Sequence, residues 1–354
     1  MAIAHGQQVM TVTGPVSAAD LGVTLMHEHL LLDIDWPGLW PGASAQPDLV
    51  DRPVGIETLG LLRRDPFVLR DNVRLDDVDL AAEEAARFRA AGGRTIVEVT
   101  STGIRPNPVG LRQIAHQTGL QVVAGCGWYV GPSHPSELAT EDVPKLARRL
   151  VSDLTEGIDD TGVRAGIIGE VGTFNPIRPT ELKSLLAAAR AHHETGAAIS
   201  VHLSSRDGGN VRQVVEVLCA EGVDPRRVAL GHIDLGIDQE DRYFAVDLGF
   251  NVQFDTFGHE HYYSVHEAAY AYIWRDPRDY ERIAWIEDLI ERGHLDQVLL
   301  SQDVCAKSQL RRYGGWGYDH LLTNVVPMMR TRSTISDQQV HALLVANPAR
   351  VLAC

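Results

Sequence analysis

Short apolar segments rich in β-branched residues alternate along the chain with longer amphipathic segments. Eight of the apolar segments have the length of buried strands, at residues 23–26, 95–99, 121–125, 165–169, 198–202, 228–231, 250–254 and 298–301. Helical periodicity occurs at residues 75–91, 109–118, 144–155, 179–195, 211–220, 279–292 and 336–344. This alternation predicts strand–helix units around a parallel sheet, because both faces of such a sheet are covered and its strands are apolar throughout.

Eight strand–helix units favour an α/β fold of the (β/α)₈ TIM-barrel type over a doubly wound sheet. Residues 1–354 are predicted to form a single domain, because no Ser/Gly-rich linker or run of charges divides the chain. A long insertion rich in proline, residues 36–74, follows the first strand and is predicted to be a lid or an ordered loop. A short N-terminal hairpin, residues 9–15, is predicted to cover the bottom of the barrel.

Composition narrows the range of partners. The 47 acidic against 32 basic residues give a net charge of −15, which argues against a nucleic acid or an anionic membrane and leaves a small molecule as the expected partner. No segment approaches 18 uninterrupted apolar residues and MAIAHGQQVM lacks a basic region before an apolar core, so a cytoplasmic protein is expected. Four cysteines without a CxxC pair indicate neither a disulfide framework nor a thiolate zinc site.

Several of the 15 histidines lie where predicted strands end. The first strand runs into His27-Glu28-His29, and residues two apart on a strand point to the same side, so both histidines can face the barrel interior. Glu28 points the opposite way and is predicted to pair with a neighbouring element. A lone HxH motif is weak evidence for a metal, since histidine is also a common hydrogen-bonded core residue.

The ends of four other strands strengthen the metal hypothesis. They carry Glu170, His202, His232 and Asp303, and the carboxyl ends of barrel strands all meet at one face. Imidazole nitrogen and carboxylate oxygen suit zinc and related divalent ions, and six ligands exceed what one tetrahedral zinc needs. We therefore predict two divalent ions, zinc above all and Mn, Co or Fe as alternatives, with His27, His29 and Asp303 on the first, His202 and His232 on the second, and Glu170 bridging.

The motifs around these residues resemble the phosphotriesterase family of the amidohydrolase superfamily. The resemblance runs nearly end to end, through GVTLMHEHL, IIGEVGT, ISVHLS, VALGHIDLG, GFNVQFDTFG, VLLSQDVC, YGGWGYDHLL and NPARVL. It implies a zinc-dependent (β/α)₈ hydrolase in which the group between the metals is a carboxylated lysine or a glutamate. Glu170 places the chain beside the glutamate-bridged branch, which includes the phosphotriesterase homology and phosphotriesterase-related proteins. Family members are often dimers, so a homodimer is one alternative for the oligomeric state.

This resemblance implies that a metal-bridging hydroxide attacks the carbonyl of a lactone or other carboxylic ester, and Asp303 is the predicted catalytic residue that accepts the hydroxide's proton and passes it to the leaving group. An amidase acting on a small N-acyl compound is the main alternative. Phosphotriester hydrolysis, as main or side activity, is another. A barrel that binds a ligand without catalysis is a further alternative, and the intact set of six ligands argues against it.

Substrate contacts are predicted in the loops beyond the strands. Tyr129 follows the third strand, and His261, with His259 and His266, follows the seventh. Lys307 follows the eighth strand with Arg311 and Arg312, where these cations could hold an anionic group of the substrate. Trp316 is predicted to shape the loop wall. For each of these residues, packing, solvation or surface ion pairing is the alternative interpretation.

Overall fold

A computed structural model describes residues 7–35, 48–204, 209–261 and 276–354. Within these residues lie twelve strands: β1 Gln8–Thr11, β2 Gly14–Ser17, β3 Thr24–Glu28, β4 Leu32–Asp33, β5 Arg74–Leu75, β6 Thr95–Glu98, β7 Gln121–Cys126, β8 Ile167–Gly172, β9 Ile199–His202, β10 Val228–Gly231, β11 Asn251–Phe254 and β12 Val298–Leu300. Eight of them pair in parallel in the order β12-β11-β10-β9-β8-β7-β6-β3. The predicted (β/α)₈ barrel is therefore confirmed, with each of the eight predicted strands present.

Helices surround these strands: α1 Leu59–Leu62, α2 Val78–Ala90, α3 Pro108–Thr118, α4 Glu137–Thr140, α5 Val143–Thr155, α6 Pro179–Thr195, α7 Val211–Ala220, α8 Gln239–Asp247, α9 Asp279–Glu291, α10 Val326–Arg332, α11 Asp337–His341 and α12 Asn347–Leu352. The predicted helix from residue 75 begins later, because the Asp77 side chain caps it by accepting from Asp79 N and Leu80 N. The sequence missed α8, whose polar composition gives little helical periodicity.

Polar contacts join the first and last strands of the barrel. Ser301 Oγ accepts from His27 N at 2.9 Å, and Asp303 N donates to the His27 carbonyl at 3.2 Å. The Glu28 carboxylate accepts from Ser301 Oγ at 2.7 Å, from Gln302 N at 2.8 Å and from Val304 N at 2.9 Å. The prediction that Glu28 pairs with a neighbouring element is confirmed, and its partner is the segment that follows β12.

Apolar side chains fill the lower half of the barrel. The interior cluster includes residues of the strands or next to them, namely Met26, Val97, Val99, Val123, Ile167, Ala198, Ala229 and Leu299. Val9 of the N-terminal hairpin and Leu352 of the last helix join the same cluster, and Gln8 and Cys354 exchange two backbone hydrogen bonds. The hairpin therefore covers the bottom of the barrel as predicted, which leaves the opposite end for the polar residues.

The long insertion after β3 contributes to that opposite end. Residues 36–47 lie outside the described part of the chain; the rest of the insertion contains α1 and a 3₁₀ turn at Arg70–Val73. Pro66, Phe67 and Val73 from this part line the cavity at the mouth of the barrel. Among the described residues, the longest apolar helical stretch falls short of what a bilayer crossing requires.

Candidate active site

The structure brings the six predicted metal ligands together at the carboxyl ends of the barrel strands. Five of them lie at or just after the ends of β3, β9, β10 and β12, and Glu170 lies within β8. All six are nearly or wholly buried, with His202 the most open of them at 15% exposure of its side chain. The strand ends place the backbone, and the parallel register of neighbouring strands sets the side chains at one level.

His27 and His29 form one half of the cluster with two carboxylates. His29 Nε2 lies 3.3 Å from Asp303 Oδ1 and 3.4 Å from Glu170 Oε1. His27 Nε2 lies 3.4 Å from Glu170 Oε2 and 3.7 Å from Asp303 Oδ1. Both imidazoles thus present the same nitrogen to the same two carboxylates.

His202 and His232 form the other half. His202 Nδ1 lies 2.8 Å from His232 Nε2 and 3.0 Å from Glu170 Oε2. His232 Nε2 lies 3.8 Å from the same oxygen. Glu170 is therefore the group that contacts both pairs of histidines, in agreement with the position expected of a bridging carboxylate.

Residues behind the cluster fix which nitrogen faces it. Asp255, directly after β11, accepts from His232 Nδ1 at 3.0 Å and lies 3.3 Å from His27 Nδ1. Thr100 Oγ1 donates to Glu98 at 2.6 Å and so accepts from His29 Nδ1 at 2.8 Å. A ring that donates through Nδ1 leaves the Nε2 lone pair for the cluster, which is the form of imidazole that binds metal.

Carboxylates and imidazoles shift one another's pKa values strongly. Burial lowers the pKa of His29, but Asp303 and Glu170 outweigh burial and raise it to about 9. Burial likewise opposes the protonation of His27 and His232, and nearby carboxylates nevertheless raise both pKa values. Burial would raise the pKa of Glu170 and Asp303, and the imidazoles instead hold both pKa values below their usual range. The site therefore favours bound positive charge.

The donor set fits divalent ions in both identity and spacing. Neither ring nitrogen of His27 has a hydrogen bond of normal geometry, although the ring is wholly buried. Ligand atoms about 2.1 Å from one tetrahedral ion lie about 3.4 Å apart, which is close to the 3.3 to 3.7 Å separations in the half that contains His27 and His29. In the half that contains His202 and His232 the separations run from 2.8 to 3.8 Å. Buried nitrogen and oxygen lone pairs that converge in this way would repel one another without a cation between them.

Backbone conformation at the site is also unusual. His232 and Asp303 have φ values of 55° and 48°, in the left-handed region that residues other than glycine seldom adopt. Such a conformation costs about 1 kcal/mol or more and persists only where the surroundings enforce it. At His232 the enforcing contact is Asp255, whose two carboxylate oxygens accept from His232 N at 2.9 and 3.0 Å.

A cavity of about 110 Å³ opens directly above the cluster. Its floor includes His29, Glu170, His202, His232 and Asp303. Its walls are mainly apolar and come from Ile34, Pro66, Phe67, Val73, Ile104, Leu203, Leu235 and Ala306. The remaining lining residues are Tyr129, His259, His261, Cys305 and Gln309. A small molecule in this cavity would contact the candidate metal ligands on one side and apolar side chains on the other.

The structure separates the four predicted substrate contacts into two groups. Tyr129 and His261 line the cavity, and the Tyr129 ring lies 4.9 Å from the His202 ring. Lys307 does not line it, because its Nζ lies 2.5 Å from Asp71 Oδ1 and pairs with that carboxylate. Trp316 is 51% exposed, stacks on His320 and lines a neighbouring cavity of about 490 Å³. Lys307 and Trp316 therefore lie outside the lining of the cavity above the cluster, and their contact with a substrate stays a prediction.

The other loop residues considered as substrate contacts lie in different surroundings. His259 lines the cavity above the cluster, and its Nε2 lies 2.8 Å from the Asp303 carbonyl oxygen. Arg311 forms a two-pronged ion pair with Asp319 at 2.7 Å for both contacts, and Arg312 is exposed. The proposed role of these arginines in holding an anionic substrate group therefore finds no support in their placement, and His266 lies outside the described residues.

Asp255, Glu98 and Thr100 are the site residues that sequence reasoning missed. The signal for Asp255 is the one that identified Asp303, a carboxylate directly after a predicted strand, and it stands in the motif QFDTFG. Glu98 lies one residue before the end of the predicted strand 95–99 and is the last residue of β6. Thr100 carries no comparable signal, because a threonine beside a strand is ordinary.

Comparisons with known proteins agree with this geometry. The model of the phosphotriesterase family matches residues 7–352. An N-acetyltaurine hydrolase from Danio rerio is 34% identical over 347 residues, covering 98% of this chain and 97% of that protein.

Solved structures give the same result. A resiniferatoxin-binding protein from Rhodobacter sphaeroides superposes with a TM-score of 0.91 at 37% identity, covering 98% of this chain and 94% of that one. The phosphotriesterase homology protein from Escherichia coli, with phosphate in its active site, has a TM-score of 0.76 at 32% identity, covering 94% and 99%. A mutant of a phosphotriesterase-like lactonase from Deinococcus radiodurans has a TM-score of 0.75 at 28% identity, covering 97% and 99%. The chain therefore belongs to the phosphotriesterase family.

Proposed function

We propose that this protein hydrolyses a small, uncharged carboxylic ester, above all a lactone, at a centre of two divalent ions. Family membership makes the protein a metal-dependent hydrolase. The proposal adds the bond that is cleaved, the number of ions and the kind of substrate. It is supported by the similarity to a lactonase from Deinococcus radiodurans and by the lining of the cavity.

The residues that line the cavity are the main support for the proposed substrate class. Beyond the candidate metal ligands, the walls of the cavity are mainly apolar, and no lysine or arginine lines it among the described residues. An anionic substrate would lose its hydration there without gaining a cationic partner from this part of the chain. A neutral ester or lactone loses little, and its hydrocarbon part would contact side chains such as Ile104, Leu203 and Leu235.

The nitrogen and oxygen donors suit zinc best, with manganese, cobalt and iron as alternatives. His27, His29 and Asp303 would hold one ion, His202 and His232 the other, and Glu170 would contact both. Two divalent ions bound there would lower the pKa of a water molecule and polarise the acyl oxygen of the substrate.

Asp303 would accept the proton of the attacking water. Its carboxylate lies beside His29 Nε2, on the floor of the cavity. Backbone contacts hold the residue from both sides, since Asp303 N donates to the His27 carbonyl and the Asp303 carbonyl lies 2.8 Å from His259 Nε2. These contacts restrain the backbone of Asp303, which supports the proposal that its carboxylate accepts the proton released during attack on the carbonyl carbon.

Amide hydrolysis is the second candidate, because N-acetyltaurine hydrolases are relatives that match nearly the whole chain. The same attack on a carbonyl carbon serves both reactions. N-acetyltaurine carries a sulfonate, however, and the described lining offers that group no cation. Phosphotriester hydrolysis would be a side activity of the same centre.

A substrate comparison tests the proposal. Zinc-loaded protein is assayed with neutral alkyl lactones, N-acetyltaurine, neutral N-acyl amides and an aryl phosphotriester, each in parallel with Asp303→Asn. We expect the highest kcat/KM on a lactone and a loss of about 10²-fold or more in Asp303→Asn. A higher kcat/KM on N-acetyltaurine than on every lactone would replace the ester proposal by the amide one. Equal turnover by Asp303→Asn would overturn the role given to Asp303.

A further inference from the structure

His259 and His261 form a further pair of imidazoles at the mouth of the barrel, separate from the six candidate metal ligands. They follow β11 and are two residues apart, as are His27 and His29 at the end of β3. The rings of His259 and His261 have centres 5.7 Å apart and planes at 81°. The corresponding values for His27 and His29 are 5.5 Å and 76°. The further pair therefore has nearly the same arrangement as a pair that belongs to the candidate metal cluster.

Asp276 adds a carboxylate to this pair. His261 Nδ1 lies 2.9 Å from Asp276 Oδ2, and His261 N donates to the same oxygen at 3.1 Å. Asp276 N donates in turn to the His261 carbonyl at 3.0 Å, so the two residues hold each other in place. One possible ligand atom from each of His259, His261 and Asp276 lies within 4.8 Å of those from the other two. Ligand atoms about 2.1 Å from a shared ion lie about 3 to 4 Å apart, so side-chain shifts of about 1 Å would bring all three onto one ion.

The chemistry of these three groups suits a divalent cation. Imidazole nitrogen and carboxylate oxygen are ligands of zinc and related ions. Asp276 is only 2% exposed. Burial would raise its pKa, but the hydrogen bond from His261 lowers it, so the carboxylate is ionised. Two neutral imidazoles and one carboxylate give the group a net charge of −1, which favours a cation over a neutral ligand or an anion.

A bound ion here would be accessible from cavities on two sides. His261 lines the cavity of about 110 Å³ above the cluster and also the neighbouring cavity of about 490 Å³. Water in these cavities can complete the coordination of an ion that has three protein ligands. The ion would also add positive charge to the smaller cavity, whose described lining contains neither lysine nor arginine.

We propose that His259, His261 and Asp276 form a third divalent-ion site at the edge of the active-site cavity, and that zinc binds there more weakly than in the cluster. The inference goes beyond the proposed function and does not depend on it. On binding, the proton of the neutral His261 ring moves from Nδ1 to Nε2. The Nδ1 lone pair, one Asp276 oxygen and one ring nitrogen of His259 then coordinate the ion, which takes the place of the hydrogen bond between His261 and Asp276.

Zinc titration and anomalous diffraction test the assignment on the full chain without substrate. Equilibrium dialysis counts bound zinc as free zinc is raised, and crystals grown at the same zinc concentrations are measured at the zinc absorption edge. We expect a third ion in the wild type, filled at higher free zinc than the other two, with its anomalous peak about 2.1 Å from the ligand atoms of His261 and Asp276. His261→Asn should bind one ion fewer and keep the two ions of the cluster. Glu170→Ala should lose the ions of the cluster and keep the third.

The matched control is His294→Asn, which removes a histidine that faces a single aspartate, His294 Nε2 lying 3.4 Å from Asp247 Oδ1. It should leave the number of bound ions unchanged. Asp276→Asn serves as a second variant where His261→Asn is unstable. Wild-type crystals at about 1 mM zinc that retain the hydrogen bond between His261 and Asp276 with no peak beside it would overturn the site, as would a third ion bound elsewhere. Absence of lactone hydrolysis would overturn the proposed function and leave this site in place.

Discussion

Asp255 joins His27 and His232 from behind the metal-ligand cluster, with Oδ2 3.3 Å from His27 Nδ1 and Oδ1 3.0 Å from His232 Nδ1. The two histidines belong to different halves of the cluster, so one carboxylate orients a ligand in each half. Asp255 also accepts twice from His232 N. Carboxylates that hold the far nitrogen of a ligating histidine fix its orientation and raise its basicity.

Asp255→Asn should therefore weaken metal binding without removing a ligand. We expect the affinity for zinc to fall about 10- to 100-fold. The asparagine side chain has an NH₂ donor in place of one acceptor oxygen, and this donor would face the Nδ1–H of at least one of the two histidines. Competition with a chromophoric chelator measures this affinity. The matched control is Asp247→Asn, which alters an exposed aspartate beside His294. Unchanged zinc affinity in Asp255→Asn would show that Asp255 does not orient the ligands.

The Glu28 carboxylate stabilises the contact between the first and last barrel strands, so its replacement should lower the stability of the fold. It accepts from three donors after β12 and is wholly buried. Glu28→Gln replaces one acceptor oxygen by an NH₂ group and sets it against a donor, so we expect a loss of about 2–4 kcal/mol in the free energy of unfolding. Urea denaturation measures the loss, and Glu83→Gln on the exposed face of α2 is the control. A variant as stable as the control would show that Glu28 does not stabilise the contact between the first and last barrel strands.

Asp153 lies on α5, away from the candidate site, and its pKa makes the stability of the fold depend on pH. Burial raises its pKa to about 7, although Arg149 opposes this. The unfolded chain ionises this group near pH 4, so the fold loses stability as the pH rises from about 4 to about 7. The full difference corresponds to about 4 kcal/mol, and partial contact with solvent reduces it to about 1–2 kcal/mol.

Asp153→Asn removes this loss. We expect a higher melting temperature than wild type at pH 8 and an equal one at pH 4.5, measured by differential scanning fluorimetry. Asp247→Asn, whose carboxylate is exposed, should show no such difference between the two pH values. A melting temperature for Asp153→Asn below that of wild type at pH 8 would contradict the direction of the shift.

The strands and the six converging side chains could be predicted because each depends on short-range sequence signals. His27, His202 and His232 stand at the ends of apolar segments, and the barrel closes those ends onto one face whatever the loops do. The direction of a long loop side chain depends instead on a distant partner. Lys307 pairs with Asp71, which lies 236 residues away in the insertion, and no local pattern indicates that contact.

Helix boundaries and the outer contacts of the site show the same limit. The start of α2 is set by the cap at Asp77, which a search for apolar periodicity overlooks. Asp255 follows a predicted strand exactly as a ligand would, and only the geometry shows that it faces the Nδ1 side of two imidazoles. Position after a strand thus predicts membership of the site, whereas the role within it requires the structure.

The proposed function requires two divalent ions held by these six side chains. The most direct test removes all metal with a chelator, adds zinc back in steps, and measures bound zinc and lactone hydrolysis together for wild type and Glu170→Ala. We predict that wild-type activity rises with bound zinc and levels off at two ions per chain, and that Glu170→Ala loses zinc and activity together. Activity that persists in metal-free protein, or in Glu170→Ala with less than about one ion per chain, would contradict the claim.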